Sequence, residues 1–163
     1  MSTLPVAVTR MTFDDEFNTF SNSSDGSSGT WMTSLPYGGE AARTLSGNDE
    51  SEYYSDSSVG VNPFTLNNGV LDITATPAAA GSNPYGLPYD SGVITTDTSF
   101  SQTYGYFEVN AELPSGQGLW PAFWLLPASN AYTSELDVFE SIDSQSTTIY
   151  STCLLYTSPS PRD

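Results

Sequence analysis

Residues 134–143 read S-E-L-D-V-F-E-S-I-D. Glu135, Asp137 and Glu140 sit among Leu136, Val138, Phe139 and Ile142, and nowhere else does the chain set acidic and apolar residues so closely together. In a strand, side chains alternate faces with period two. Glu135 and Asp137 then share one face, and Leu136 and Val138 take the other. Strict alternation would turn Glu140 away from its fellow acids. One extra residue, a β-bulge at Val138 and Phe139, returns Glu140 to the side of Asp137. Three acids on one face repel one another, so at least one is expected to hold its proton to raised pH. The plainer alternative is a solvated strand face.

Composition narrows the chemistry. The 163 residues give room for one domain with a core. There are 19 acidic and 3 basic residues, for a net charge of −16. Such a surface argues against nucleic acid and anionic membrane as partners. The chain has no histidine, which removes Ser-His-Asp and Cys-His catalysis and the usual zinc sites. Carboxylates are nearly the only catalytic side chains left. A protonated carboxyl beside an ionised one is what glycoside hydrolysis uses: one attacks the anomeric carbon, the other protonates the leaving oxygen. Abundant Ser, Thr, Gly, Asn and Tyr suggest an all-β, turn-rich, exported protein. The 13% of aromatic residues opposes disorder. No stretch approaches the roughly 20 apolar residues of a membrane span. Residues 1–10 lack the apolar core of a signal peptide. The only cysteine, Cys153, allows no internal disulfide.

Working outward, residues 11–17 read as a first strand ending in acids, and 21–29 as a surface loop. Trp31 is expected in the core or a cleft wall. Residues 48–56 alternate polar and aromatic side chains. Asn67-Asn68-Gly69 signals a hairpin, after which Leu71, Ile73 and Ala75 alternate with Asp72, Thr74 and Thr76, as in a strand with one buried face. A Pro/Gly/Ala loop follows over 77–88, then a short strand about 93–96. Residues 104–113 give the clearest strand, with Phe107, Val109, Ala111 and Leu113 on one face. Residues 114–118 make a turn. In the next strand Trp120, Ala122 and Trp124 share a face, with Pro121 forcing local irregularity. The loop at 127–134 delivers the chain to Glu135. Trp120 and Trp124 neighbour the acids, and an aromatic face suits the C–H face of a pyranose ring; the alternative is that both are core. There is no long amphipathic helix and no internal repeat.

The run G-L-W-P-A-F-W-L-L-P (118–127) followed by E-L-D-V-F-E (135–140) resembles glycoside hydrolase family 16, in its bulged branch of laminarinase-like β-glycanases. The likeness continues through T-F-D-D-E-F (12–17), G-N-D-E-S-E-Y-Y-S-D (47–56), N-G-V-L-D-I-T-A (68–75), S-G-V-I-T-T (91–96) and Y-G-Y-F-E-V (104–109). The resemblance implies a concanavalin-A-like jelly-roll sandwich and a retaining endo-β-glycanase acting on β-1,3- or mixed β-1,3/1,4-glucan. It implies Glu135 as nucleophile, Asp137 as electrostatic helper and Glu140 as acid/base, with sugar contacts from Asn48, Trp120 and Trp124. Asn48 read alone is equally a turn residue before a strand. Many bulged relatives carry Arg where this chain has Val93. No cofactor is expected in catalysis. The family often holds a structural calcium, for which Glu16 and the Gly69 carbonyl are the candidate ligands. The expected setting is a monomer outside the cell, with a polysaccharide as partner. Galactan-active relatives such as agarases share the bulged motif. A lectin-like sugar-binding module would use Trp120, Trp124 and Asn48 but has no use for three aligned acids.

The last eleven residues, C-L-L-Y-T-S-P-S-P-R-D (153–163), resemble a translated sequencing adapter and interrupt the strand-like T-T-I-Y-S-T of 147–152. The expected organisation is an N-terminal extension (1–10), the N-terminal part of a catalytic domain (11–152) and a foreign tail (153–163). Sandwiches of this class often run to roughly 200–250 residues, so later strands are expected beyond residue 152.

Overall fold

A computed structural model describes residues 10–128, 134–142 and 147–155. The described residues form ten β-strands and two 3-10 turns, with no α-helix. None of their helices is long and apolar enough to cross a membrane. The chain forms two compact units, Met1–Gly105 and Tyr106–Asp163.

In the first unit, β1 (Asn22–Ser23) pairs in parallel with β2 (Trp31–Met32). The 3-10 turns Gly39–Ala42 and Ser46–Asn48 precede β3 (Glu52–Tyr54). β4 (Phe64–Asn67) and β5 (Val70–Ile73) form a hairpin, and β6 (Thr76–Pro77) and β7 (Tyr89–Ser91) follow. β7 lies between β3, its parallel neighbour, and β6, its antiparallel one. The hairpin closes on Asn68 (φ 49) and Gly69 (φ 78). Both central residues have positive φ, the backbone that matches the strand twist and that Asn-Gly favours.

The core of this unit is small and largely polar. Met32, Leu35, Tyr53 and Phe64 are buried, together with Thr33, Ser34, Thr44, Ser55, Asp56, Asn83 and Asp90. Arg43 Nη1 donates to Asp56 Oδ2 at 2.7 Å and to the carbonyls of Tyr54 (3.0 Å) and Thr33 (3.2 Å). A buried carboxylate is tolerable only when paired in this way. Trp31 is half-buried against the rings of Phe13 and Phe17, and its indole N–H donates to Asp15 Oδ2 at 2.7 Å.

Several expected strands are absent or shorter. Residues 11–17 form none: Asp15 Oδ1 accepts from the Phe17 N–H, and Phe17 turns to φ 48. Asp15 thus bonds the backbone two residues on and competes with a ladder. The 93–96 strand reduces to a single bridge between Met32 and Thr95. β5 shows no buried face, since Ile73 is 43% exposed and Ala75 is also exposed. A two-stranded ribbon has no second layer of its own to cover one side.

The second unit is built on one antiparallel sheet in the order β10–β9–β8, from β8 (Ala122–Leu125), β9 (Ser134–Glu140) and β10 (Tyr150–Leu155). Residues 104–113, expected as the clearest strand, carry none. Alternation reports which side chains share a face, whereas a strand also needs a neighbour to complete its hydrogen bonds. Phe107, Val109, Ala111 and Leu113 border one open hollow of about 390 Å³ with Val138, Phe139 and Ile149, but Glu108, expected on the opposite face, lines it too. β10 crosses residue 152 without a break, pairing Cys153 with Leu136 and Leu154 with Glu135. The expected interruption there is not seen, because ladder bonds come from the backbone and accept any residue but proline. The loop expected at 127–134 lies mostly outside the described residues.

Candidate active site

The bulge lies where period-two counting requires it. On β10, Tyr150 pairs with Glu140 and Thr152 with Asp137, so two steps on β10 oppose three on β9. On β8, Phe123 pairs with Phe139 and Trp124 with Asp137, so one step opposes two. Both ladders place the surplus residue at Val138–Phe139. The Ser151 hydroxyl donates to the Val138 carbonyl at 2.8 Å, occupying an acceptor that the bulge takes out of register.

The pairing fixes the faces. Directly opposed residues in antiparallel strands put their side chains on the same side. Ala122 and Trp124, two apart on β8, oppose Glu140 and Asp137. Tyr150, Thr152 and Leu154, at intervals of two on β10, oppose Glu140, Asp137 and Glu135. All three acids therefore share one face. Leu136 and Phe139 share the other with Leu125 and Phe123, and the rings of Phe123 and Phe139 lie 6.2 Å apart.

Asp137, in the middle of the central strand, is 4% exposed, while Glu135 and Glu140 are half-buried. Burial, the charge of Asp137 and a hydrogen bond with it, and the charge of Glu140 push the Glu135 carboxyl up from 4.5 to about 7. The trio thus keeps a proton up to neutral pH. Because the carboxyls interact strongly, that proton belongs to the set.

Trp124 stands opposite Asp137 and is half-buried. Trp120 is 45% exposed, so neither tryptophan is a core residue. The Trp120 indole Nε1–H donates to Glu140 Oε1 at 2.9 Å. Sequence reasoning missed this bond, although the Trp-Pro pair signals an extended backbone at residue 120. Pro121 sits just before β8, where its missing N–H costs no ladder bond, and its carbonyl accepts from the Ser141 N–H at 3.0 Å.

The remaining candidates lie in the first unit. Asn48 is exposed at the end of a 3-10 turn, its N–H bonded to the Leu45 carbonyl, which leaves its side chain accessible to a ligand. Glu16 and Gly69 come together: a Cβ added to Gly69 would stand 3.3 Å from the Glu16 carbonyl oxygen. They would supply two of the 6–8 oxygens that calcium takes. Among the described residues no group of three or more His, Cys, Asp or Glu is placed to hold a metal.

The profile of Glycosyl hydrolases family 16 matches residues 48–158, more than half of the chain. The chain is 47% identical over 152 residues to the endo-1,3-1,4-beta-glycanase ExsH of Rhizobium meliloti, covering 90% of this chain and 32% of that protein. It is 46% identical over 140 residues to the endo-1,3-1,4-beta-glycanase EglC of the same organism, covering 82% and 30%. Among solved structures it matches the laminarinase catalytic domain of Thermotoga maritima with a TM-score of 0.58 and 34% identity, over 66% of this chain and 43% of that one. The chain belongs to glycoside hydrolase family 16, and its all-β fold is of that family's jelly-roll class. It spans about a third of the length of the two Rhizobium proteins.

Proposed function

We propose that the protein is a retaining endo-β-glycanase that hydrolyses β-1,3- or mixed β-1,3/1,4-glucan outside the cell. The observation that carries this reading is the bulge at Val138–Phe139, which brings three carboxyls to one face with a proton held among them near neutral pH. The names of the relatives point to the same substrates.

Glu135 is the nucleophile, Glu140 the acid/base and Asp137 the group between them. In the first step the Glu140 proton passes to the glycosidic oxygen as its bond to the anomeric carbon breaks, and a Glu135 oxygen bonds to that carbon. In the second, water gives a proton to Glu140, attacks the same carbon and frees the Glu135 carboxylate. Two inversions retain the anomer. Asp137, hydrogen-bonded to Glu135, takes over the proton balance between the two working carboxyls. Trp124 and Trp120 offer aromatic surface to sugar rings beside the acids, and Asn48 is a further sugar contact.

The test is digestion of laminarin, mixed-linkage glucan and agarose by the full-length protein. Oligosaccharides from the first two are expected. Products from agarose alone would move the assignment to galactans, and binding without products would favour the lectin-like reading. A structural calcium at the Glu16 and Gly69 carbonyls is also proposed, on the adjacency of those two backbones. Chelation should lower the melting temperature, and an unchanged transition would remove the ion from the account.

A further inference from the structure

We infer that Trp120 is a positioning residue for Glu140: its indole N–H holds one carboxyl oxygen and leaves the other to carry the catalytic proton. This rests on the reading of Glu140 as acid/base. Three observations support it. The indole Nε1 lies 2.9 Å from Glu140 Oε1. The residue of β8 opposite Glu140 is Ala122, whose single methyl leaves room for the ring of Trp120 to reach over. Pro121 then restricts the backbone of Trp120 to extended conformations, and the bond from the Ser141 N–H to the Pro121 carbonyl ties the segment to the residue following Glu140.

The chemical consequence follows from donor and acceptor roles. An indole N–H donates only. The oxygen it bonds must accept, and the carbonyl-type oxygen of a protonated carboxyl is the better acceptor, so the bond favours the acid's hydrogen on Oε2. In the first half-reaction Oε2 releases that proton to the glycosidic oxygen as the C–O bond breaks, and the indole stays on Oε1 throughout. In the second, Oε2 takes a proton from the attacking water. Without the indole the carboxyl is free to turn and to exchange the roles of its oxygens, and the acid is less often aimed at the leaving group. A modest misplacement of a catalytic group can cost as much as about a hundredfold in rate.

A sugar platform and an aiming residue respond differently to the leaving group. The experiment compares wild type, Trp120→Phe and Glu140→Ala in the full-length protein, on mixed-linkage glucan and on a dinitrophenyl β-glucan oligosaccharide whose leaving group needs no proton. Burst kinetics isolate the glycosylation step. Trp120→Phe keeps an aromatic face and loses the donor. It should lose about 10–100-fold in kcat on glucan and less than about threefold in glycosylation by the dinitrophenyl substrate, a muted copy of the Glu140→Ala pattern. Benzothienylalanine at position 120 keeps the shape of the indole without its N–H, and should show the same split if the phenylalanine variant folds poorly. Equal losses on both substrates, carried in KM, would make Trp120 a sugar platform only and overturn the inference. So would wild-type rates on both. If Glu140→Ala itself shows no leaving-group split, the acid/base assignment fails and this inference falls with it.

Discussion

Glu135 and Asp56 are both carboxyls drawn out of water, and their surroundings drive them in opposite directions. Burial raises Glu135, and the neighbouring Asp137 and Glu140 add to the rise, taking it to about 7. Burial alone would also raise Asp56, but hydrogen bonds from Ser58, Arg43 and Thr33 outweigh it and hold that carboxyl below its ordinary value. The signs of the pH dependence differ accordingly. Between about 4.5 and 7 the folded chain keeps a proton at Glu135 that the unfolded chain has lost. The resulting stability is complete below 4.5 and is lost as the pH rises through about 7. The Asp56 contribution is present above the ordinary 3.8 and is lost on acidification through its lower folded value. The same proton sits on the proposed nucleophile, which attacks only as a carboxylate, so kcat/KM should rise as the pH climbs toward about 7 and Glu135 ionises. Glu135→Gln should remove the corresponding slope in melting temperature across that range. A slope that persists in the variant would show that another group carries it. The acids themselves were legible in the sequence, because their spacing is a matter of counting. The Trp120 bond was not, because it depends on which residues of β8 and β9 come opposite one another.

At the scale of the element, one residue decides whether β9 is a catalytic strand. With Val138 in place, Glu140 shares the face of Glu135 and Asp137. A one-residue change of register sends every side chain beyond it to the opposite face. Deletion of Val138 should restore strict alternation, turn Glu140 toward the face of Leu136 and lower hydrolysis of glucan by about 10²–10⁴-fold, the usual worth of general acid–base help. The strand should survive, with far-ultraviolet circular dichroism close to wild type. Activity within tenfold of wild type in a folded deletion variant would contradict the role given to the bulge. The bulge could be read from sequence because the faces of three acids demanded it. Residues 104–113 show the converse. Their alternation gathered Phe107, Val109, Ala111 and Leu113 on one hollow but did not keep Glu108 out of it, and no pattern within a segment names the neighbour whose ladder makes it a strand. The Asn68-Gly69 turn was legible for a local reason, since two positive φ values leave few residue choices.

Across the whole chain, apolar burial is uneven. The buried apolar side chains, Met32, Leu35, Tyr53 and Phe64, all lie in the first unit, whereas the described buried residues of the second are Asp137 and Ser141. Buried acids occur in both units, Asp56 and Asp90 in the first and Asp137 in the second, and each is costly to hold out of water. The all-β class was readable from composition and periodicity, whereas the jelly-roll sandwich came from the resemblance to the family. The polar character of the first core was not, because the Arg43–Asp56 pair joins residues that no periodicity links. The central claim is that Glu135 attacks the anomeric carbon and Glu140 acts as the acid/base across a covalent intermediate. Proton NMR of a mixed-linkage glucan digest, recorded in the first minutes before mutarotation, tests it most directly. The account predicts that the β-anomer of the new reducing end appears first; initial release of the α-anomer would contradict it.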